Sequence, residues 1–305
     1  MLITTFFKRL PFINLLVLLF GTFLIIIHFF KKNKTLEGFT QEEKFVLKKN
    51  DQLYDEFYVN VYDTLLYDPL KKTFEVKKIS DATNMNKKSI VLDVGSGIGH
   101  HLNEFKSNNI NIIGLETSKA MIKKCKTKFK GINPDIKYGN AMDSMLFEGD
   151  QFTHILCLFY TFYYMPSPEG FLRNANKWLR HNGYLVVHIV DDKKFHPIVP
   201  PSEIFNIPSQ VYAKKGERIT ESIVKFKTFD YKSNFKQEGK NAYLTEVFTD
   251  KDTGNIRQNI HKLLMYTKED YEKMFESMGF KIKTVISLDP VRYHYQHLYV
   301  LQKVQ

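Results

Sequence analysis

The stretch Ile90–Phe105, IVLDVGSGIGHHLNEF, constrains the fold more than any other part of the chain. Ser89–Val94 is a short, nearly continuous apolar run rich in β-branched residues, the pattern of a strand buried on both faces. It closes on Asp93, places Gly95, Gly97 and Gly99 at alternate positions, and leads into a helix-like run. Glycines after a buried strand let the backbone take positive φ and approach a ligand. The helix that follows offers unpaired N–H groups. A dinucleotide fingerprint needs G-x-G-x-x-G, but here the sixth position is His100. A phosphate loop of the Walker type needs Gly-Lys-Ser/Thr, which is absent. The acid at the strand end favours a cationic group over a pyrophosphate. A second acid, Glu116, follows the next strand in IIGLETS, where it can accept from both hydroxyls of a ribose.

The order of elements extends this reading. Leu53, Tyr54, Phe57, Tyr58, Val61, Tyr62 and Leu65 share one helical face. Ile110–Leu115, Asp135–Tyr138, His154–Phe159 and Tyr184–Val190 read as further strands. Between them, Ser118 caps a helix carrying Met121, Ile122, Cys125 and Phe129, and Pro168–Arg180 forms a helix that stops at Asn182-Gly183. Such alternation predicts a parallel sheet with helices on both faces. The rhythm breaks at the Pro-rich segment Asp191–Gln210. Ser222–Tyr231, Ala242–Thr249 and Ile256–Tyr266 then read as three antiparallel strands. A capping box at Thr267-Lys268-Glu269-Asp270 opens a helix ending at Gly279, and the chain finishes with the strands Lys281–Leu288 and Gln296–Leu301. A dinucleotide-binding sheet does not normally end in such an antiparallel pair.

In their order and spacing, VLDVGSGIG, the acid of GLETS, YGNAMD, FTHILCLFYTFYYMPSPEGFLRNANKWLRHNGYLVVHIV and YTKEDYEKMFESMGF resemble the class I S-adenosylmethionine-dependent methyltransferases. The resemblance covers Asp51–Gln305. It implies an α/β, Rossmann-like fold with a mostly parallel seven-stranded sheet ending in an antiparallel strand. The three antiparallel strands, within residues 196–266, read as a small β insertion serving as lid or substrate platform, with dimerisation or membrane contact as the alternatives. The resemblance implies S-adenosylmethionine as cofactor, with Asp93, Gly95, Gly97 and Gly99 lining the methionine end and Glu116 holding the ribose. Asn140 stands where the family often has Asp and would accept from the adenine amine through its side-chain carbonyl. Ala141 would contribute its backbone, and Leu158 and Phe159 would pack near the methionine. The motif names no catalytic base. Candidates at the carboxyl ends of strands are Tyr160, Tyr163, Tyr164, His188, Asp191 and Asp192, with Tyr160 and His188 singled out, although a strand histidine is also an ordinary hydrogen-bonded packing residue. Tyr58 and Tyr62 could close over the cofactor or simply pack. His100-His101 lacks a partner at metal-ligand spacing, so no metal is expected.

Phe12–Phe30 contains no formal charge when His28 is neutral, and at about 1.5 Å per residue its nineteen residues reach roughly 28 Å. This predicts a transmembrane anchor over residues 1–31 and a basic linker over 32–50. Lys31, Lys32, Lys34, Lys44, Lys48 and Lys49 follow the run against Lys8 and Arg9 before it, which would put the catalytic domain on the cytosolic side of a single-pass protein. The net charge is +11, yet only six of the 44 basic residues are Arg, so nucleic-acid recognition through bidentate forks is not indicated. Cys125 and Cys157 read as buried, reduced thiols. The expected function is a membrane-anchored methyltransferase acting on a small or lipidic acceptor. The alternatives are a protein or RNA methyltransferase and a non-catalytic cofactor-binding module.

Overall fold

The computed structural model describes residues 14, 17–23, 41–198 and 218–304. The chain divides into two compact units, Met1–Gly38 and Phe39–Gln305. In the first, Asn14 and residues 17–23 are helical, and the rest of the expected anchor lies outside the described residues. Among the described residues no helix is long and apolar enough to cross a membrane, so the anchor gains no support from the structure. Residues 199–217 of the Pro-rich approach to the insertion also lie outside the described set.

In the second unit the strands are β1 Phe45–Lys49, β2 Ile90–Val94, β3 Asn111–Glu116, β4 Ile136–Tyr138, β5 Phe152–Cys157, β6 Leu179–Val190, β7 Glu221–Lys225, β8 Phe229–Glu238, β9 Asn241–Asp250, β10 Ile256–Leu264, β11 Phe280–Ser287 and β12 Gln296–Lys303. The helices are α1 Glu56–Leu66, α2 Pro69–Thr83, α3 His100–Ser107, α4 Lys119–Lys128, α5 Pro168–Trp178 and α6 Lys268–Ser277.

Seven strands form the main sheet in the order β11-β12-β6-β5-β2-β3-β4. β2 to β6 run parallel, and β12 lies antiparallel between β6 and β11. This is the expected class I methyltransferase architecture. Alternate residues explain why both faces are covered. Val187 of β6 and Leu301 of β12 pack with Phe171 and Trp178 of α5 and Phe275 of α6. Val186 and Val300, one residue earlier in each strand, pack with Ile79 of α2 and Phe105 of α3. The strand order reverses between β2 and β5, which opens a crevice beyond the carboxyl end of β2.

The second sheet, β1-β10-β9-β8-β7, is the insertion plus one strand from the N-terminal side. Helix α1 packs on it through Tyr58, Val61 and Leu65, against Val224, Phe229 and Phe248. The expected linker therefore ends inside the folded body, where Phe45–Lys49 pairs in parallel with Ile256–Ile260. The insertion has four strands rather than three, because Ser222–Tyr231 is broken by a tight turn in which the Phe226 N–H donates to the Phe229 carbonyl. That turn carries Phe226-Lys227-Thr228 and none of the usual Gly, Pro, Asn or Asp.

Two helices also differ from expectation. α5 stops at Trp178, since fully buried Leu179 already pairs with Phe152 as the first residue of β6. Asn182, at φ 60°, and a bulge in the β5–β6 ladder absorb the residues expected to end the helix. α2 was not anticipated, because its sequence is lysine-rich and only weakly patterned. It is fixed at its ends: Asp68 accepts from the Leu70 and Lys71 N–H groups, Pro69 takes the first turn, and Asn84 closes it in the left-handed conformation.

Candidate active site

A single cavity of about 740 Å³ is lined by the glycine turn, the carboxyl ends of β2, β3 and β5, α1, and the inner face of the second sheet. Asp93, Gly95, Gly97, Glu116, Asn140, Ala141 and Leu158 all line it. Gly99 does not. It takes φ 82° at the N-cap of α3, and a Cβ there would sit 2.4 Å from Cys125 Sγ, so it serves the close packing of α3 on α4. Gly95 at φ 68° is pressed against Thr161, whereas Gly97 at φ 55° faces open space. No side chain crowds Gly97 on that side, so a ligand can approach its backbone there.

Glu116 ties this turn together. Its Oε2 accepts from the Gly97 N–H at 2.9 Å and its Oε1 from the Ser118 N–H at 2.8 Å. Burial raises the carboxyl above its ordinary value, and those backbone donors pull it back only in part. Burial likewise pushes Asp93 up to about 7, partly offset by His101. A cation placed beside Asp93 would restore its charge, which suits the ammonium of a methionine moiety better than a phosphate. Asn140 is exposed, with its side-chain oxygen accepting from the Met142 N–H at 3.0 Å, and one lone pair stays available for an adenine amine. Phe159, just past β5, takes φ 50° at the cavity wall.

The two catalytic candidates separate. Tyr160 lines the cavity, and its buried hydroxyl has no hydrogen-bond partner among the described residues. His188 is fully buried in β6 and does not line the cavity. Its Nδ1 donates to the Phe159 carbonyl at 2.6 Å, and burial lowers it to about 4, so it is a neutral packing group that holds the positive-φ residue. Asp191 caps the turn of Lys193 and Lys194, and Asp192 accepts from Gln237, both away from the cavity. Tyr163 also lines the cavity, and its hydroxyl accepts from the Val190 N–H at 2.7 Å. His100 pairs with Asp63 at 2.8 Å and His101 with Glu75 at 3.0 Å. No group of three or more metal-ligating side chains occurs among the described residues. Both cysteines are buried and free.

The half of the cavity away from the glycine turn contains groups that sequence reading missed. Glu246 of β9 is 1% exposed. It accepts from Tyr58 at 3.1 Å, Tyr231 at 2.8 Å and His261 Nε2 at 2.7 Å. His261 Nδ1 lies 2.5 Å from the hydroxyl of Tyr164, which also hydrogen-bonds Tyr54. Burial works to raise Glu246, but His261 and the two phenols outweigh it and hold the carboxyl below its ordinary value. The signal lay in the alternation of β9 and β10, where an acid and a histidine occupy inward positions that an antiparallel strand normally fills with apolar residues.

Comparison with known proteins agrees with this geometry. A family model described as a methyltransferase domain matches residues 92–187. A dTDP-4-amino-2,3,4,6-tetradeoxy-D-glucose N,N-dimethyltransferase of Saccharopolyspora spinosa is 25% identical over 201 residues, 65% of this chain and 74% of that one. The S-adenosylmethionine-bound amino pentose methyltransferase of Micromonospora echinaspora superposes with a TM-score of 0.54 at 19% identity, covering 76% of this chain and 90% of its own. The CcbJ methyltransferase of Streptomyces caelestis gives a TM-score of 0.65 at 15% identity, over 84% and 99%. With the matched domain, the class I strand order and an acid-and-glycine turn opening on the cavity, the chain is an S-adenosylmethionine-dependent methyltransferase of the class I fold.

Proposed function

We infer that this enzyme methylates an amine of a small polar molecule, of which an amino sugar is the type, held in the tyrosine-lined half of the cavity. The observation that carries this is Glu246: a buried carboxylate kept ionised within a ring of Tyr54, Tyr58, Tyr164 and Tyr231. An ionised carboxylate among aromatic rings attracts a cation and repels an anion. The amino-sugar relatives support the same acceptor class. A chamber roofed by the second sheet favours a small acceptor over a protein or RNA, and its carboxylate and phenols favour a polar one over a lipid tail. Bound S-adenosylmethionine would supply an already activated methyl group. The residues proposed to hold it are Asp93, Gly95 and Gly97 at the methionine end, Glu116 at the ribose, Asn140 and Ala141 at the adenine, and Leu158 beside the sulfonium. The remaining work of the protein is alignment and exclusion of water. Tyr160, with its unpartnered hydroxyl, is proposed to orient the acceptor.

The test is transfer of labelled methyl from S-adenosylmethionine to dTDP-4-amino-2,3,4,6-tetradeoxy-D-glucose, its 4-hydroxy counterpart and a lipid extract. Label in the amino sugar alone is the expected outcome. Label only in the hydroxy sugar or the lipid phase would overturn it. The membrane tether is a separate expectation resting on the apolar run of residues 12–30, and release of the full chain from membranes by carbonate wash would remove it.

A further inference from the structure

Within the chamber, one chain of hydrogen bonds has the polarity of a proton path. Glu246, ionised, has no proton to give, so His261 donates through Nε2 at 2.7 Å, and in the neutral tautomer of the imidazole this leaves Nδ1 as an acceptor. The Tyr164 hydroxyl, 2.5 Å away, therefore directs its proton at Nδ1 and keeps its oxygen lone pairs for Tyr54 and the cavity. A carboxylate, an imidazole and a phenol are thus joined in line along the wall of the chamber.

We propose that Tyr164 and His261 form a proton relay that strips a cationic amine acceptor, with Glu246 fixing the tautomer and pairing the imidazolium that results. The proposal rests on the amine reading above. The proton leaves the acceptor nitrogen for the Tyr164 oxygen while the phenolic proton passes to His261 Nδ1. The charge so moved becomes an imidazolium–carboxylate pair, and the net charge of the chamber is unchanged. The freed nitrogen lone pair can then form the new N–C bond, the pair of the breaking S–C bond staying on sulfur. His261 later returns its proton to solvent. An ammonium has no lone pair to attack with, so an amine-methylating site at neutral pH needs such an acceptor or must wait for the rare free base.

The groups facing this array are accounted for. Asn259 of β10 reaches Glu246 Oε2 at 3.4 Å, and Tyr58 and Tyr231 occupy Oε1. The nearby Arg257 guanidinium is spent on Asp55, at 2.9 Å, and on the Leu53 carbonyl. Tyr54 and Tyr58 pack their rings 6.3 and 5.8 Å from the imidazole. Tyr164, His261 and Glu246 all line the chamber, and the Tyr164 hydroxyl is the group hydrogen-bonded to His261 Nδ1.

The experiment uses the full chain with ¹⁵N-labelled histidine and bound S-adenosylhomocysteine. At fixed neutral pH, dTDP-4-amino-2,3,4,6-tetradeoxy-D-glucose should convert His261 from the neutral Nε2–H tautomer to imidazolium, and the 4-hydroxy counterpart should not. In Tyr164→Phe, which keeps the ring packing, the conversion should vanish. Turnover at neutral pH should fall about 100-fold, the low end of what a positioned acid–base group contributes. That loss should shrink as the pH rises and the amine arrives unprotonated. Amine methylation with His261 remaining neutral, or a loss in Tyr164→Phe that is the same at every pH, would overturn the relay and leave amine methylation standing. Failure of the wild-type enzyme to bind or methylate any amine would overturn both.

Discussion

Single residues of the glycine turn do separable jobs, and substitutions should divide them. Gly99→Ala puts a Cβ 2.4 Å from Cys125 Sγ at a backbone φ of 82°, and is expected to cost about 2–4 kcal/mol in urea unfolding. Gly97→Ala meets open space, so it should cost only about 1 kcal/mol through its positive φ while still weakening S-adenosylhomocysteine binding. Glu116→Ala removes the acceptor for the Gly97 and Ser118 N–H groups and the proposed ribose contact. Calorimetric titration should show S-adenosylhomocysteine affinity reduced by about 10- to 100-fold, equivalent to one charged hydrogen bond. Asp93 gives a pH dependence of known sign. Its folded value, about 7, lies above the unfolded carboxylate value, so the folded protein holds the extra proton between roughly 4 and 7. Stability of the ligand-free protein is therefore lost as pH rises across that window, by up to about 1.4 kcal/mol per pH unit. Comparing urea midpoints of wild type and Asp93→Asn from pH 4 to 8 should show that slope only in the wild type.

At the scale of elements, the main sheet was legible and the second was only half so. Buried parallel strands announce themselves by continuous apolar runs, and Ser118 and Thr267 cap α4 and α6 by accepting from the Met121 and Asp270 N–H groups, as their sequences imply. What escaped reading depended on partners distant in sequence. Phe45–Lys49 buries none of its residues fully and is a strand because Ile256–Ile260 offers it a ladder. The alternation of β9 and β10 points Glu246 and His261 inward, but only the pairing of the two strands and the cover of α1 bring the side chains together. A chain beginning at Asp51, the expected domain start, would thus strip the edge from the strand that carries His261. Scanning calorimetry should place its Tm several degrees below that of a chain beginning at Phe39, since about 1 kcal/mol corresponds to some 2–4 °C in a domain of this size. Equal values would mean that β1 is dispensable.

For the whole molecule, the cavity is walled by both sheets of the second unit, so ligand occupancy and global stability should be coupled. S-adenosylhomocysteine at about 100 times its Kd is expected to add roughly 2.7 kcal/mol and raise Tm by about 5–10 °C, while NAD should leave it unmoved. The parallel pairing of β1 with β10 also bears on how the molecule is made. Residue 45 emerges from the ribosome more than two hundred residues before residue 256, its register partner. The parallel main sheet from β2 to β6 can assemble meanwhile from neighbouring segments, but the edge of the chamber's roof cannot. Its first strand must stay unpaired until the last strand of the insertion is synthesised, so the acceptor chamber is closed by a contact of very long sequence separation, late in folding and after the cofactor turn already exists.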